Sequence, residues 1–351
     1  EVTLDTAKIE GYIKGKTVLV TGGGGSIGSE LCRQLMRFSP GQLLIFDVYE
    51  NCAYELQMEL QRKYGREAPI TVLIGSIRDK NRLDEVFETY HPSVVFHAAA
   101  HKHVPLMEVS PAEAVKNNVV GTKNLLTSAS EHGVERLVQL STDKAVNPTS
   151  VMGCTKRICE MLIQTFARNT TMKCVAVRFG NVLGSHGSVI PLFESQIKQG
   201  GPVTLTDPNI ERYFMTIPEA AQLVLQAGAL AESGSIYVLD MGEPVKIMDL
   251  ARQLIRFYGY EPDKDIEIKI VGLRPGEKLY EELMMDEEQD KMRRTEHNKI
   301  FVAPPRNIDL EVFYQQLQDL IAAAAHNDEA VVQQLQKIVP TFTPVRDSLK
   351  K

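Results

Sequence analysis

The chain has 351 residues and a mass of 39.2 kDa, a length that predicts either two domains or one large one. Hydrophobic residues make up 43% and charged residues 24%, which are ordinary values for a globular protein. The net charge of −6 gives no basic footprint for nucleic acid, but a local basic pocket for a phosphorylated small molecule is compatible with it. The first residues lack the apolar core of a signal peptide, and no apolar run has the length of a membrane span, so secreted and membrane-spanning classes are disfavoured.

The cysteine content indicates a reducing compartment. The chain holds five cysteines, an odd number without CxxC spacing, and most of them lie within apolar patterns. We therefore expect reduced core thiols in a cytoplasmic protein. The cysteines are Cys32, Cys52, Cys154, Cys159 and Cys174.

Short apolar runs alternate with helical patterns over residues 17–180. The runs are TVLVT (17–21), QLLIFD (42–47), ITVLIG (70–75), SVVFHA (93–98), RLVQLS (136–141) and KCVAVR (173–178). Strands that are apolar on both faces are typical of a parallel sheet with helices on both sides. The alternation predicts the α/β class, with a Rossmann-type doubly wound parallel sheet.

A glycine-rich turn joins the first run to a helical pattern. Gly22, Gly25 and Gly28 stand at three-residue spacing, which permits a tight turn, a close approach to a pyrophosphate and close packing of helix on strand. Asp47 ends the next run, where a carboxylate accepts hydrogen bonds from ribose hydroxyls and repels a 2′-phosphate. The pattern predicts a dinucleotide site for NAD rather than NADP; the alternative is a glycine-rich turn that binds nothing.

The alternation of strand-like and helical patterns becomes irregular in the second half, where glycine and proline cluster. We expect residues 1–15 to be a linker or N-terminal extension and residues 16–180 to form the NAD-binding domain. Residues 181–351 are predicted to form mainly a smaller mixed substrate-binding domain, with about 212–242 returning to the main domain. The highly charged run 284–299 predicts a solvated helix or loop.

A polar segment follows the fifth apolar run, at the edge of the sheet where ligands bind in such folds. Thr142, Asp143 and Lys144 come directly after the run, and Met152 and Lys156 share one face of the helix that follows. Their position makes them candidates for a functional site. The alternative is a solvated charged pair and an ordinary core methionine.

Ordered motifs over roughly residues 10–285 resemble one protein family. Beside the glycine turn, they are HAAA (97–100), NVVGTKNLL (118–126), STDK (141–144), RFGNVLGSHGSVIPLF (178–193), RYFMTIPEA (212–220) and GLRPGEKLYEEL (272–283). The set resembles the extended short-chain dehydrogenase/reductases and, more narrowly, the bacterial UDP-N-acetylglucosamine 4,6-dehydratases of polysaccharide and glycan biosynthesis. The resemblance implies a lyase that uses NAD and a UDP-sugar substrate.

Met152 occupies the position where most of that family carries tyrosine. The tyrosine hydroxyl accepts a substrate proton, and a thioether cannot. The resemblance is to the long, membrane-attached branch, which bears methionine there and is active. It implies that this chain is the cytosolic catalytic portion of a protein at the cytoplasmic face of the bacterial inner membrane, without membrane contact of its own.

The resemblance also implies the reaction and its residues. NAD⁺ oxidises C-4 of the sugar, water leaves across C-5 and C-6, and the hydride returns to C-6 with retention at C-5. Thr142 would bond the C-4 oxygen, Asp143 would be the acid at C-6 and Lys144 the base at C-5. Lys156 would hold the nicotinamide ribose and, with the nicotinamide charge, lower the pKa of Lys144. Whether Asp143, Lys144 or a water takes the C-4 proton stays open.

Further contacts follow from the resemblance. Expected cofactor contacts are Gly22, Gly25, Ser26, Ile27, Gly28, Asp47, Ser76, Ile77, Ala98, Ala99, Ala100, Asn118 and Lys156. Expected substrate contacts are Lys102, Asn181, Val189, Leu192, Arg212, Arg274 and Glu277. Both arginines suit a diphosphate, with a surface ion pair as the alternative for either. Many relatives place an adenine-reading aspartate where this chain has Ser76.

The sequence also offers alternatives for the bound groups, the reaction and the partners of this chain. His97, His101 and His103 resemble metal-ligand spacing, but no fourth ligand is near, so we expect no metal. A C-4 or C-5 epimerase on the same nucleotide-sugar shares the first oxidation, and a non-catalytic NAD-binding module is a more remote alternative. The helical pattern at 310–326 suits core packing or a partner helix. The resemblance implies a homo-oligomer, a dimer or larger.

Overall fold

The computed structural model describes residues 3–305, 307–327 and 329–344. The strands, in chain order, are β1 (Thr17–Thr21), β2 (Gln42–Asp47), β3 (Ile70–Ile74), β4 (Val94–His97), β5 (Arg136–Leu140), β6 (Lys173–Arg178), β7 (Asn181–Val182), β8 (Val203–Leu205), β9 (Glu211–Arg212), β10 (Phe214–Met215), β11 (Ile236–Leu239), β12 (Val245–Lys246), β13 (Ile268–Ile270), β14 (Arg293–Arg294) and β15 (Ile300–Ala303). The α-helices are α1 (Thr6–Ile13), α2 (Ser26–Leu35), α3 (Glu50–Tyr64), α4 (Lys80–Tyr90), α5 (Val104–Val109), α6 (Pro111–Ala114), α7 (Gly121–Glu131), α8 (Val151–Phe166), α9 (Val189–Lys198), α10 (Ile217–Ala229), α11 (Ile247–Phe257), α12 (Asp286–Gln289), α13 (Leu310–Ala325) and α14 (Val331–Ile338).

A nine-stranded sheet in the order β14-β15-β11-β6-β5-β4-β1-β2-β3 forms the centre of the protein. The strands from β11 to β3 are parallel, while β15 and β14 add an antiparallel edge. The central strands are buried on both faces, which explains their near-continuous apolar runs. The predicted doubly wound sheet is confirmed, and its strand order reverses between β1 and β4, where ligands bind in such folds.

A smaller lobe has its own apolar core. Helices α9 and α11 pack with the short strand pairs β8–β13 and β9–β12. Phe193, Ile197, Val203 and Ile255 are buried at its centre. This lobe combines helices with short strands, and its elements lie within residues 181–351.

Much of the second half of the chain packs with the main sheet. Helix α10 lies against β5 and β6, and β11 pairs with β6. Strand β15 and helices α13 and α14 pack there as well, because Leu317 and Leu320 insert into the main core. Residues 310–325 therefore serve core packing.

Two segments are more ordered than their sequence predicts. Residues 1–15, expected as a linker, contain α1, whose Ile9 and Ile13 are fully buried, and α1 packs against α10. The charged run 284–299 is not wholly solvated, because Glu288 is 3% exposed and pairs with buried Arg178.

The five cysteines are free thiols, and all but the half-buried Cys52 are buried. Burial raises the pKa of Cys174 to about 11, which disfavours the reactive thiolate form. No helix among the residues that the structure describes is long and apolar enough to cross a membrane.

Candidate active site

The glycine turn has the tight geometry that its spacing predicts. Gly22 has φ 66°, and a Cβ there would lie 2.6 Å from the backbone nitrogen of Ala99. A Cβ on Gly28 would lie 2.0 Å from the carbonyl oxygen of Gly22, so only glycine lets α2 pack this closely. Gly25 caps α2 without a side-chain hydrogen bond. The first amides of the helix can therefore bind an anion.

Two adjoining cavities lie over this turn. One of about 370 Å³ is lined by Gly22, Gly25, Asp47, Ser76, Ile77, Ala98, Ala99 and Ala100. The other, of about 520 Å³, is lined by Ser26, Ile27, Gly28, Lys102, Thr142, Lys144, Met152, Lys156 and Asn181 together with shared turn residues. The carboxyl ends of β1, β2, β4 and β5 thus bring nearly all of the predicted cofactor residues around one elongated space.

Asp47 is oriented by backbone amides at the end of β2. Its Oδ2 accepts from the Gly24 amide at 2.8 Å, and its Oδ1 accepts from the Tyr49 amide at 2.9 Å. The carboxylate lines the cavity with lone pairs left over. A ribose diol fits this acceptor, whereas a 2′-phosphate would meet like charge.

Asn118 does not line either cavity, contrary to its prediction as a cofactor contact. It is 1% exposed, its Oδ1 accepts from the His101 amide, and its Nδ2 donates to the His101 carbonyl and to Thr155 Oγ1. The residue therefore fixes the chain that forms the cavity wall. The sequence position of Asn118 alone could not show whether it lines the cavity or supports the residues that do.

The residues predicted for acid–base chemistry lie within hydrogen-bonding distance of one another. Thr142 Oγ1 donates to Asp143 Oδ1 at 2.9 Å, and Lys144 Nζ donates to the same oxygen at 3.0 Å. Asp143 is fully buried, and its Oδ2 has no hydrogen-bond partner in the described part of the chain. Gly153 of α8 supports the turn, because a Cβ there would lie 2.1 Å from the Lys144 carbonyl oxygen.

The expected lowering of the Lys144 pKa is wrong. Burial acts to lower this pKa, but the nearby carboxylates of Asp143 and Glu281 outweigh burial and raise it above its ordinary value. Both carboxylates favour the ammonium form of Lys144. The prediction weighed only positive charges near Lys144 and left out the carboxylate of its neighbour Asp143 and that of Glu281, which comes from a distant segment.

Met152 and Lys156 lie on the face of α8 that lines the larger cavity. Met152 is 4% exposed. Lys156 Nζ donates to the Leu140 carbonyl oxygen at 2.7 Å, and burial lowers the pKa of Lys156. The Lys156 side chain is thereby held at the end of β5, on the wall of the larger cavity.

Some of the predicted substrate residues line the cleft, and others support the chain around it. Asn181 Oδ1 accepts from Lys144 Nζ at 3.2 Å, so Asn181 touches the acid–base group. Val189, Leu192, Arg274 and Glu277 line a further cavity of about 190 Å³ toward the smaller lobe. Arg274 is exposed, and no partner holds its guanidinium among the residues described. It is thus available to an anion.

Arg212 is largely occupied by the protein itself. Its guanidinium donates to the carbonyl oxygens of Glu211, Lys278 and Leu279, and it is 9% exposed. It also lies 3.5 Å from Glu277. Arg212 therefore fixes the chain around residue 280, and its freedom to bind a diphosphate is smaller than that of Arg274.

Glu281 is a site residue that sequence reasoning missed. It lies within the recognised stretch GLRPGEKLYEEL, but nothing in the spacing distinguishes it from Glu282. The structure buries Glu281 and leaves Glu282 paired with Lys278 at 2.9 Å. Only the folded chain shows which of the two carboxylates faces the site.

The three histidines do not form a metal centre. His97 is buried between Thr21 Oγ1 at 2.8 Å and Thr122 Oγ1 at 2.9 Å, and burial lowers its pKa to about 3. His101 lines both cavities, and His103 lines the larger one. Across the described ranges, no cluster of acidic, histidine and cysteine side chains could hold a metal ion.

The chain belongs to the polysaccharide biosynthesis protein family whose model matches residues 18–305. It is 56% identical over 284 residues to the capsular polysaccharide biosynthesis protein CapD of Staphylococcus aureus. It is 55% identical over 283 residues to the probable polysaccharide biosynthesis protein EpsC of Bacillus subtilis (strain 168). Each match covers 81% of this chain but 47% of the relative, so the chain spans about half the length of these relatives.

Solved structures share the fold. Pen from Bacillus thuringiensis superposes with a TM-score of 0.77 at 35% identity, covering 84% of this chain and 89% of that one. DesIV, a dTDP-glucose 4,6-dehydratase from Streptomyces venezuelae solved with NAD, superposes with a TM-score of 0.67 at 20% identity, covering 90% and 99%. With the family match, these likenesses confirm the predicted extended short-chain dehydrogenase/reductase and its Rossmann-type fold.

Proposed function

We propose that this chain is the catalytic unit of an NAD-dependent nucleotide-sugar 4,6-dehydratase. Its substrate is UDP-N-acetylglucosamine, and its product is UDP-2-acetamido-2,6-dideoxy-hexos-4-ulose with the C-5 configuration retained. One observation carries the proposal: Thr142, Asp143 and Lys144 form a hydrogen-bonded set at the end of β5, on the wall of the dinucleotide cavity. Loss of water needs an adjacent acid and base, whereas a 4-epimerase needs no acid at C-6.

The cofactor is NAD. The glycine turn, the uncapped start of α2 and the oriented Asp47 carboxylate fit a pyrophosphate and an unphosphorylated ribose. When bound, NAD supplies the oxidant at C-4 and the reductant at C-6, so that the net redox change is zero. Lys156, on the wall of the same cavity, would hold the nicotinamide ribose, and its positive charge would favour the C-4 alkoxide.

The hydrogen bond from Thr142 to Asp143 supplies a route for the C-4 hydroxyl proton. Thr142 Oγ1 accepts this proton as it passes its own to Asp143 Oδ1, 2.9 Å away. Met152 can take no proton, so this route replaces the usual tyrosine. Asp143 is then the protonated acid that the departing C-6 hydroxyl needs.

Lys144 acts at C-5 as a neutral amine. It takes the C-5 proton while Asp143 protonates the leaving hydroxyl, which leaves an ammonium and a carboxylate 3.0 Å apart. The ammonium then returns the proton to C-5 on the same face, which gives retention. Over the cycle both groups regain their starting protonation, and one water leaves. Because the resting structure holds Lys144 as an ammonium, turnover rises with pH as that proton is lost.

A 4-epimerase is the second candidate. The chain is 33% identical over 347 residues to a UDP-glucose 4-epimerase of Rickettsia canadensis (strain McKiel), a match that covers 95% of this chain and 98% of that one. Met152 disfavours this candidate, since simple 4-epimerases keep the tyrosine at that position.

Mass spectrometry of the nucleotide-sugar separates the candidates. The purified chain is incubated with UDP-N-acetylglucosamine and NAD. The dehydratase proposal predicts a product lighter by one water, and Lys144→Met abolishes its formation. An isomer of unchanged mass would instead establish epimerisation, and unchanged substrate would point to a binding module.

We also propose that the whole protein forms homo-oligomers at the cytoplasmic face of a bacterial inner membrane. The support is the resemblance to the long branch, together with 47% identity over 310 residues to MJ1061, an uncharacterized membrane protein of Methanocaldococcus jannaschii. Fractionation of cells that express the full gene tests the location: sedimentation with membranes is expected, and recovery in the supernatant would contradict it.

A further inference from the structure

Glu281 is a buried carboxylate that faces the acid–base group from the far side of the cleft. It is 9% exposed and lines a cavity of about 130 Å³ together with Lys144, Arg212 and Arg274. Its Oε1 lies 3.7 Å from Lys144 Nζ and 3.8 Å from Arg212 Nε. Its Oε2 is buried without a hydrogen-bond partner among the described residues.

Three side-chain oxygens surround Lys144 Nζ. Asp143 Oδ1 at 3.0 Å and Asn181 Oδ1 at 3.2 Å accept hydrogen bonds from it, and Glu281 Oε1 at 3.7 Å forms an ion pair with it. These oxygens come from the turn after β5, from β7 and from the segment that follows β13. Nζ is thus oriented from three directions.

The charges around Lys144 favour its protonated form. Asp143 and Glu281 are the facing carboxylates, and Arg212 is the opposing cation. Glu277 also lies 3.5 Å from Arg212 and offsets part of that positive charge. A buried ammonium without these carboxylates would lose its proton more readily.

We propose that Glu281 is a positioning residue that holds the ammonium form of Lys144 in place for proton return to C-5. The inference rests on the dehydratase proposal. Glu281 itself takes no proton from the substrate; its charge pairs with the ammonium group of Lys144, which does. Removing its charge while keeping its shape should therefore shift the titration of Lys144 to lower pH.

Competitive acetylation measures this titration without any turnover. The purified chain is treated with trace acetic anhydride across a pH series, and acetylation of the Lys144 peptide is quantified by mass spectrometry. In the wild type, Lys144 should react with a midpoint above that of exposed Lys264, which is 75% exposed in its side chain. Glu281→Gln should lower the Lys144 midpoint by about one pH unit or more, because a charge partner within ~4 Å is lost.

Two further variants provide the controls. Glu282→Gln makes the same change at the next residue, whose partner is Lys278, and should leave the Lys144 midpoint unchanged. Glu281→Asp keeps the charge and should restore most of the wild-type midpoint. A wild-type midpoint below that of Lys264 would overturn the proposal even if Glu281→Gln does not fold.

The pH profile of turnover provides the second measurement. In Glu281→Gln the rising limb of kcat should move to lower pH in step with the acetylation midpoint. A loss of activity at all pH values with an unmoved midpoint would mean that Glu281 is merely structural, and the proposal would fail. Because acetylation does not depend on the reaction, absence of dehydration in the wild type would overturn the proposed function separately.

Discussion

At the scale of single residues, the proposed mechanism replaces the tyrosine that is usual in the family by a relay of other side chains. Met152 lines the cavity at the tyrosine position, and Thr142 and Asp143 offer a hydrogen-bonded route at the end of β5. In this proposal the turn after β5 transfers protons, and Lys156 on α8 supplies the stabilising charge.

Lys144→Met should reduce dehydration by roughly 10²- to 10⁴-fold, the usual contribution of a general base. Methionine keeps the length of the side chain but cannot take a proton. The measurement is the rate of water loss from UDP-N-acetylglucosamine, with Lys264→Met on the exposed surface as the matched control. Retention of more than a tenth of the wild-type rate would contradict the role of Lys144.

Gly28→Ala should abolish NAD binding, because the new Cβ would lie 2.0 Å from the Gly22 carbonyl oxygen and push α2 from the turn. Gly11→Ala is the control, since a Cβ there meets nothing within 4 Å on α1. Bound NAD is quantified in the purified proteins, and circular dichroism reports folding. Normal NAD content in Gly28→Ala would refute the turn's role.

Local patterns predicted the residues that carry chemistry better than their charge states. Thr142, Asp143 and Lys144 were predictable because a strand end delivers consecutive residues to the ligand edge of the sheet. Glu281 was not, since its burial depends on a long-range contact with Lys144 that no periodicity reveals. Asn118 is the opposite case. Its position predicted a contact with the cofactor, but its side-chain amide is buried behind the cavity wall, where it bonds His101 and Thr155.

At the scale of elements, a buried ion network joins α8 to β6 and α12. Glu160 accepts from Arg157 Nη1, from both Arg178 Nε and Nη2, and from Ser141 Oγ. Arg178 Nη1 also donates to Glu288 at 2.8 Å. The network links the end of β5, which Ser141 follows, to the end of β6 and to α12. It thereby fixes the positions of these elements relative to one another.

Glu160→Gln should destabilise the protein by about 3–5 kcal/mol, because it leaves two buried guanidinium groups short of a counter-charge. Burial raises the pKa of Glu160, but Arg178 and Arg157 outweigh burial and hold it at about 2. The stabilisation is therefore complete above the carboxyl's ordinary pKa of about 4.3 and is lost as pH falls towards 2.

Urea unfolding between pH 7 and pH 3 measures this effect. The difference between wild type and Glu160→Gln should be largest at pH 7 and shrink below about pH 4.3. Glu261→Gln is the matched control, since its pair with Lys264 is exposed and is expected to contribute at most about 1 kcal/mol. A pH-independent difference would show that Glu160 contributes packing rather than charge.

Elements with strong periodicity were predictable, and elements that depend on a partner were not. The strand runs and the helix that became α10 follow from apolar spacing alone. Helix α1 did not, because Ile9 and Ile13 gain their burial only against α10. The run 284–299 was misjudged because Glu288 is buried through its contact with Arg178.

At the scale of the whole molecule, two lobes unequal in size enclose the cleft. The larger lobe provides the dinucleotide cavity and the acid–base turn, and the smaller provides Val189 and Leu192. The larger lobe is not formed by one continuous stretch of chain, since α13 and α14 follow the smaller lobe in sequence but pack on the core of the larger lobe. The stability of the dinucleotide site should therefore depend on residues near the end of the described chain.

Leu317→Ala should destabilise the larger lobe by about 2–5 kcal/mol, since Leu317 is 1% exposed in its core. Val312→Ala, at a position of α13 that is 51% exposed, is the control with little effect. The measurement is the urea concentration at which half of the bound NAD is released, because this release reports unfolding of the larger lobe. An unchanged midpoint in Leu317→Ala would contradict the assignment of α13 to that lobe.

Dehydration with proton return to C-5 by Lys144 is tested most directly by proton NMR of the purified chain with UDP-N-acetylglucosamine in heavy water, without added NAD. We expect a new C-6 methyl signal, deuterium at C-5, coupling constants of the retained configuration and no accumulation of NADH. Epimerised sugar without a methyl signal, or no change even when NAD is supplied, would contradict it.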